Sequence, residues 1–193
     1  MPPSRLLRFA LGVDRWNARI ARVTAWLMLL LVSVGAYNAI ARSMERYCEV
    51  RLSSNALLEL QWYLFGIAFL LGAPYALQRG DHVRVDVLYS GLPRRGRLWI
   101  DVFGGILFLI PFCLAAIWLS LEFVADSFAN GEWSNDPGGL PRWPIKPIIP
   151  IAFALLLLQG ISEVVKRLAV LRGTAQPEQV GLAALGKDTG DER

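Results

Sequence analysis

Four long apolar segments dominate the sequence and limit what it can fold into. They occupy residues 20–41, 55–77, 98–121 and 148–168. A helix rises about 1.5 Å per residue, so each segment is long enough to cross a hydrocarbon core about 30 Å thick. The sequence therefore predicts an all-α integral membrane protein built as a four-transmembrane-helix bundle.

The basic residues are distributed unequally around these segments. If all four cross, the N-terminal tail, the second loop (78–97) and the C-terminal tail share one side of the membrane. With the adjoining span ends, these regions hold 15 of the 20 Lys and Arg residues. Loops rich in Lys and Arg remain on the cytoplasmic side. The pattern predicts that both termini are cytoplasmic.

Composition supports a membrane protein over a soluble one. Hydrophobic residues make up 54% of the chain and the mean hydropathy is +0.41, above the level of ordinary soluble domains. The net charge of +4 comes from arginines beside apolar spans, which favours the lipid bilayer over nucleic acid as the partner. We expect one membrane domain over residues 1–172 and a disordered cytoplasmic tail over 173–193.

The residues needed for common catalytic or metal sites are missing from the sequence. It contains no nucleophile elbow, phosphate-binding glycine loop or cluster with metal-ligand spacing. Cys48 and Cys113 are expected at different depths, so a disulfide between them is disfavoured. Two cysteines and one histidine do not supply a usual four-ligand zinc site. We therefore expect no enzyme activity and no cofactor.

Two segments are candidates for the inner membrane surface. In the loop 78–97, the polar residues His82, Arg84 and Asp86 alternate with valines. Such alternation also fits a strand, but a lone strand would leave its backbone unpaired, so we favour a short amphipathic helix. Residues 1–19 mix leucines with arginines and fit either a surface segment or a frayed tail.

Glu59 is the most unusual residue within a span, because a carboxylate in the bilayer is costly and often functional. Three interpretations remain open. It contacts another helix or subunit, it is wetted near the helix N-terminus, or it carries a coupled proton. Small or interfacial residues follow it and suit close contact with a neighbour. The candidate subunit-interface residues are Glu59, Gln61, Trp62 and Gly66.

Other polar residues lie nearer the span ends. The Gly, Pro, Asn and Asp content of residues 127–147 excludes a continuous helix there. Ser53 and Ser54 offer N-cap groups to the second span, and Pro111 is expected to kink the third. Asp101 and Glu163 are expected to be solvated or paired with arginines, and Glu163 is spaced to pair with Arg167 on one helical face.

Five stretches together resemble the small membrane subunit of tripartite ATP-independent periplasmic (TRAP) transporters, the DctQ-type family. The resemblance covers residues 20–168, including all four spans. The stretches are SNALLELQW (54–62), GAPYALQRGDHVRVD (72–86), WID (99–101), GGLPRWP (138–144) and LQGISE (158–163).

The resemblance implies a complex in the bacterial cytoplasmic (inner) membrane. A periplasmic solute-binding protein captures an organic acid, and a large permease subunit carries the substrate and sodium sites. The small subunit braces the large one and helps dock the periplasmic protein. The candidate docking residues are Glu132, Trp133, Arg142 and Trp143. The alternative is a self-sufficient proton-coupled exporter that uses Glu59. The sequence does not identify the transported substrate.

Overall fold

The described part of the chain is helical. The computed structural model describes residues 5–45, 47, 52–80 and 92–182. Within these ranges there is no β-strand, only an isolated bridge between Trp133 and Pro141, so the all-α prediction is confirmed. The elements are α1 (Arg5–Met44), α2 (Asn55–Arg79), α3 (Arg94–Gly104), a π-helical turn (Gly105–Leu109), α4 (Ile110–Ala129), α5 (Ile148–Leu171) and a 3₁₀ turn (Pro177–Val180).

Four helices in the described ranges are long and apolar enough to cross a membrane. They are α1, α2, α5 and the continuous segment Arg94–Ala129, which consists of α3, the π-helical turn and α4. Each of the four predicted spans falls within one of these helices. The expected inner-surface helix around His82, Arg84 and Asp86 lies outside the described residues.

The first helix is longer than expected. It begins at Arg5 and continues to Met44, where a separate surface segment or frayed tail was expected before residue 20. Leu7, Ala10, Asp14 and Asn17 are buried, and their spacing of three and four residues places them on one face of the helix. The buried stripe explains why the helix continues to the N-terminal side of the apolar segment.

A π-helical turn interrupts the third span next to Pro111. It covers Gly105–Leu109 and ends where the backbone N–H of Ile110 bonds to the carbonyl of Gly105. Proline lacks an N–H and its ring clashes with the preceding turn of an α-helix. A wider turn directly before Pro111 accommodates that ring, as π-bulges commonly do within helices.

The contacts divide the chain into two compact units. The first comprises Met1–Ala18, Ala73–Ala115 and Ala154–Arg193. Its apolar core joins Leu7 and Leu98 to Val180 and Leu182. The last two belong to a tail that was expected to be disordered from residue 173. Residues 173–182 instead turn back to bury apolar side chains, while residues 183–193 lie outside the described part.

The second unit comprises Arg19–Gly72 and Ala116–Phe153. Here the Glu45 carboxylate accepts hydrogen bonds from the backbone N–H groups of Leu52 and Ser53, at 2.6 and 2.5 Å. These bonds lower the pKa of Glu45, with the Ser53 N–H as the largest cause. The Ser54 hydroxyl accepts the N–H of Leu57 at 3.3 Å, which confirms its N-cap role for α2.

Large apolar side chains cover much of the helix surfaces. Trp26, Phe108 and Trp118 are 72%, 72% and 78% exposed in the isolated chain. A soluble monomer rarely leaves so many large apolar side chains exposed. The helices therefore present faces suited to lipid or to other membrane subunits.

Adjacent glycines provide a test of helix packing in the first unit. A Cβ on Gly105 would approach the Val164 methyl group to 2.8 Å, whereas one on Gly104 would meet nothing within 4 Å. Because valine is stiff, we expect Gly105→Ala to destabilise the protein by about 1–3 kcal/mol. Gly104→Ala is the control and should leave the unfolding midpoint in detergent unchanged or raised. Equal midpoints for both variants would contradict this packing.

Candidate functional site

The most unusual intramembrane residue, Glu59, contacts a loop of its own chain. It lies on α2 and is only 1% exposed. Its carboxylate accepts the Ser134 hydroxyl and, at 2.5 Å, the backbone N–H of Leu140. Hydrogen bonds to a carboxylate stabilise its charged form in a buried place. The carboxylate thus contacts a loop of its own chain, a partner that differs from the other helix or subunit, the water and the coupled proton considered from the sequence.

One face of α2 holds this loop at three points. Asn55 donates its amide to the carbonyl of Pro137 at 2.9 Å, and the Tyr63 hydroxyl donates to the carbonyl of Pro141 at 3.2 Å. Glu59 lies between them, and the spacing of four residues stacks all three side chains on one face. We call this set of contacts the α2–loop anchor.

The loop has its own internal structure. The backbone N–H of Ser134 bonds to the carbonyl of Leu140 at 3.1 Å, and that of Arg142 bonds to Glu132 at 2.8 Å. Gly139 faces Glu59, where an added Cβ would come within 2.8 Å of the carboxylate and 2.5 Å of the Ser134 Cβ. A residue without a side chain is therefore needed for the loop to approach α2 this closely.

A second carboxylate links the two ends of the same loop. Glu132 accepts the Ser127 hydroxyl at 2.8 Å and forms an ion pair with Lys146. The Lys146 ammonium also lies 3.8 Å from the centre of the Phe123 ring, a cation–π contact. Hydrogen bonds from Lys146 and then Ser127 are the main reasons that the pKa of Glu132 lies below its usual value.

The other interface and docking candidates have different environments. Gln61 donates to the Leu57 carbonyl at 3.1 Å and packs against Gly35. Trp62 is 54% exposed, and a Cβ on Gly66 would meet nothing within 4 Å.

Among the docking candidates, Trp133 is 63% exposed, and Trp143 contacts Phe128 with a ring-centre distance of 5.1 Å. The structure thus brings Glu59 to the loop that holds the docking candidates and leaves Trp62 largely exposed.

The first unit contains a buried ion network that sequence reasoning found only in part. Lys166, which is 2% exposed, lies 2.9 Å from Asp14 and 2.5 Å from Glu163. Arg167 pairs with Glu163 and, at 2.9 Å, with Asp101. The expected pairings of Glu163 and Asp101 with an arginine are confirmed. The participation of Asp14 and Lys166 was missed, although both share faces with other buried residues.

Neutral polar groups extend this network between α1 and α5. The Gln159 amide accepts a hydrogen bond from Asn17 at 2.7 Å and donates to Asp14 and Glu163 at 2.8 and 3.0 Å. Ser162 donates to the Ala10 carbonyl at 3.1 Å. Side chains on α5 at 159, 162, 163 and 166 follow helical spacing, so they face α1 together. The arrangement fastens helices to one another.

The polar clusters can be compared with the requirements of a metal site. In the described ranges, no three His, Cys, Asp or Glu side chains are grouped so as to hold a metal ion. Cys113 is a buried free cysteine within α4. The charged side chains described above contact each other, the backbone or the loop, which suits them to holding segments in place.

The comparison with protein families decides the assignment. The model described as "Tripartite ATP-independent periplasmic transporters, DctQ component" matches residues 39–170. The chain belongs to the DctQ family. It is thus a small permease subunit of a TRAP transporter, and its apolar helices indicate a multi-pass membrane protein. No curated protein and no solved structure matches the chain.

The buried Lys166 of this DctQ chain is predicted to be essential for its stability. Lys166→Met leaves Asp14 without its cation and leaves Glu163 with Arg167 alone, and breaking a buried ion pair costs about 3–5 kcal/mol. We expect a lower midpoint of thermal unfolding in detergent. Adding Asp14→Asn to Lys166→Met should recover part of the loss. Absence of any recovery would contradict a direct interaction between the two side chains.

The α2–loop anchor predicts a local effect of removing Glu59. Glu59→Ala leaves the Ser134 hydroxyl and the Leu140 N–H without their acceptor, so the loop should open more often. We expect faster hydrogen exchange of the Leu140 amide. Glu122→Ala, which removes an exposed carboxylate from α4, is the matched control. Similar exchange in both variants would show that the anchor does not hold the loop.

Glu132 predicts a pH dependence of the same loop. Its folded pKa is lowered, so its contribution to stability is present above the unfolded pKa and is lost as pH falls through the folded pKa. Lys146→Gln should raise the Glu132 pKa toward its usual value. A carboxyl-carbon NMR titration measures this shift, and Arg172→Gln controls for the loss of one positive charge. An unchanged Glu132 pKa would contradict the ion pair.

Proposed function

We propose that this chain is the scaffold subunit of a sodium-coupled importer of organic acids, bracing the large permease subunit and helping dock the periplasmic solute-binding protein. The observation that carries this proposal is that charged side chains on the membrane-spanning helices bind partners within the chain. Glu59 holds a loop, and the Asp14–Lys166–Glu163–Arg167–Asp101 network joins helices. Charged side chains that are already paired within the chain suit a scaffold better than a transport path.

The proposed orientation follows from the basic residues. The positive-inside rule puts both termini and the loop 78–97 on the cytoplasmic side of the inner membrane. The loop 130–147 then faces the periplasm, where a soluble binding protein arrives. In this orientation the α2–loop anchor shapes the surface that meets that protein.

An aromatic face of α2 is our proposed contact with the large permease subunit. Trp62, Phe65 and Phe69 are each more than half exposed, and their spacing puts them on one side of the helix. The rings of Phe65 and Phe69 stack with centres 6.0 Å apart, and Gly66 leaves open space beside them. Glu59 and Gln61 are proposed for the same interface. They support the N-terminal end of this face of α2 through contacts within the chain.

The 130–147 loop is our proposed docking region for the periplasmic protein. Trp133 extends from it with most of its surface exposed. Glu132 and Arg142 are neighbours in its backbone bridge, and Trp143 supports it against Phe128. A loop held by the α2–loop anchor offers a preorganised surface, which lowers the entropic cost of binding.

Enzyme activity is not part of this proposal. The matched family is a transporter component, and the side chains of the two polar clusters contact other segments of the chain. The alternative of a proton-coupled exporter loses its main support as well. Glu59 would need access to a transported solute, yet its carboxylate is buried against Ser134 and Leu140.

Co-purification tests the scaffold role. The chain expressed with its large permease subunit should purify as a stoichiometric complex, and Trp62→Ala with Phe65→Ala should weaken it. Trp26→Ala with Trp118→Ala removes exposed aromatic surface from α1 and α4 and is the matched control. Proton-driven transport by the chain reconstituted alone, lost in Glu59→Gln, would overturn the scaffold proposal in favour of an exporter.

Transport by the assembled complex tests the docking role. Trp133→Ala should reduce solute uptake that depends on the binding protein, while leaving the complex of the two membrane subunits intact. A sodium-free buffer should abolish uptake in the wild-type complex. Unchanged uptake in the Trp133 variant would remove this residue from the docking surface.

A further inference from the structure

An arginine-lined groove lies in the first unit, between the start of α3 and the end of α5. It consists of two adjoining cavities of about 420 and 270 Å³, both lined by Arg95 and Arg172. Arg94 lines the larger cavity and Trp99 the smaller one. The groove is separate from the ion network and from the α2–loop anchor, and it has no role in the proposed scaffold function.

The groove brings three arginines together, Arg94, Arg95 and Arg172. Two of its guanidinium groups come from the first turn of α3 and the third from the turn directly after α5, and no carboxylate of the described residues lines either cavity. In the ranges that the structure describes, Arg94, Arg95 and Arg172 make no ion pair with an acidic side chain. Arg167, by contrast, forms ion pairs with Glu163 and Asp101. Among the described residues, no acidic side chain competes with an anion for the groove arginines.

The backbone around the groove also favours an anion. Helix α3 begins at Arg94, and its N-cap residue Pro93 provides no side-chain hydrogen bond, so the positive end of the helix dipole lies beside the groove residues Arg94 and Arg95. Carbonyls near the end of α5 are already satisfied. The N–H groups of Gly173 and Thr174 bond to Val170 and Ala169 at 3.0 and 2.9 Å. Gly173 takes the left-handed conformation, with φ of +70°, that this helix-ending motif needs.

Apolar surface continues directly from the charged groups. Leu98, Val170 and Leu171 line the larger cavity. Beyond Trp99 the exposed face of α3 carries Phe103, whose ring centre lies 5.6 Å from that of Trp99. A free phosphate ion would use the arginines alone. A ligand with both an anionic head and hydrocarbon chains would use the whole surface.

We propose that this groove binds an anionic phospholipid of the membrane, such as phosphatidylglycerol. Arg94, Arg95 and Arg172 hold the phosphate, because guanidinium groups form paired hydrogen bonds to phosphate oxygens. The acyl chains lie along Trp99 and Phe103. A bound lipid of this kind links the start of the third span to the end of the fourth.

Native mass spectrometry of the full chain tests this proposal, with phosphatidylglycerol and phosphatidylcholine as the probes. We expect wild type to retain phosphatidylglycerol preferentially. Replacing Arg94, Arg95 and Arg172 by Gln should raise its Kd about tenfold or more. The triple Lys variant should be intermediate, since it keeps the charge and loses the paired hydrogen bonds. Circular dichroism checks the fold, and Arg172→Gln alone replaces the triple variant if that variant is unfolded.

The control variant removes three exposed arginines from α1, through Arg8→Gln, Arg19→Gln and Arg22→Gln. It should retain phosphatidylglycerol as wild type does. Equal loss in the control and the groove variant would overturn the proposal in favour of diffuse attraction. Inorganic phosphate that fully displaces the lipid, with no effect of Trp99→Ala on lipid binding, would also overturn it, because the groove would then be a site for a soluble anion.

Discussion

Lys166 illustrates the constraint on which the rest of the structure depends, because a charge buried in apolar surroundings needs a partner. Its ammonium lies between Asp14 of α1 and Glu163 of α5, and Arg167 extends the same chain of charges to Asp101 of α3. Burying any one of these groups alone would be costly. Their mutual pairing therefore fixes the relative register of three helices within the first unit. The continuation of α1 beyond the apolar segment carries Asp14, which makes the contact with Lys166.

The same constraint operates in the second unit with different chemistry. Glu59 meets a hydroxyl and a backbone N–H instead of a cation, and the loop approaches closely because residue 139 is glycine. The carboxylate thereby gives an otherwise irregular loop a defined position on α2. A loop so held can present Trp133 outward, which connects a buried interaction to the proposed docking surface.

Much of the fold was predictable because it depends on local properties. The length and apolarity of a span are read along the chain, as is the i, i+4 pairing of Glu163 with Arg167. The partners of Asp14 and Glu59 were not predictable in this way. Asp14 and Lys166 are 152 residues apart, and Glu59 and Leu140 are 81 apart. A signal for the first pair exists in the helical spacing of Leu7, Asp14 and Asn17, within the residues 1–19 for which the sequence predicts a surface segment or a frayed tail.

Family membership, the number of spans and the all-helical class follow from the sequence, because composition, periodicity and motif order are properties of the chain itself. The preference for lipid around the helices follows as well. Which charge meets which partner was decided by the tertiary structure. The sequence shows that a carboxylate such as Glu59 is costly in a span, but it does not show whether the partner is a subunit, a proton path or a loop of the same chain. Only the folded arrangement brings Ser134 and Leu140 to it, and so gives it a structural role.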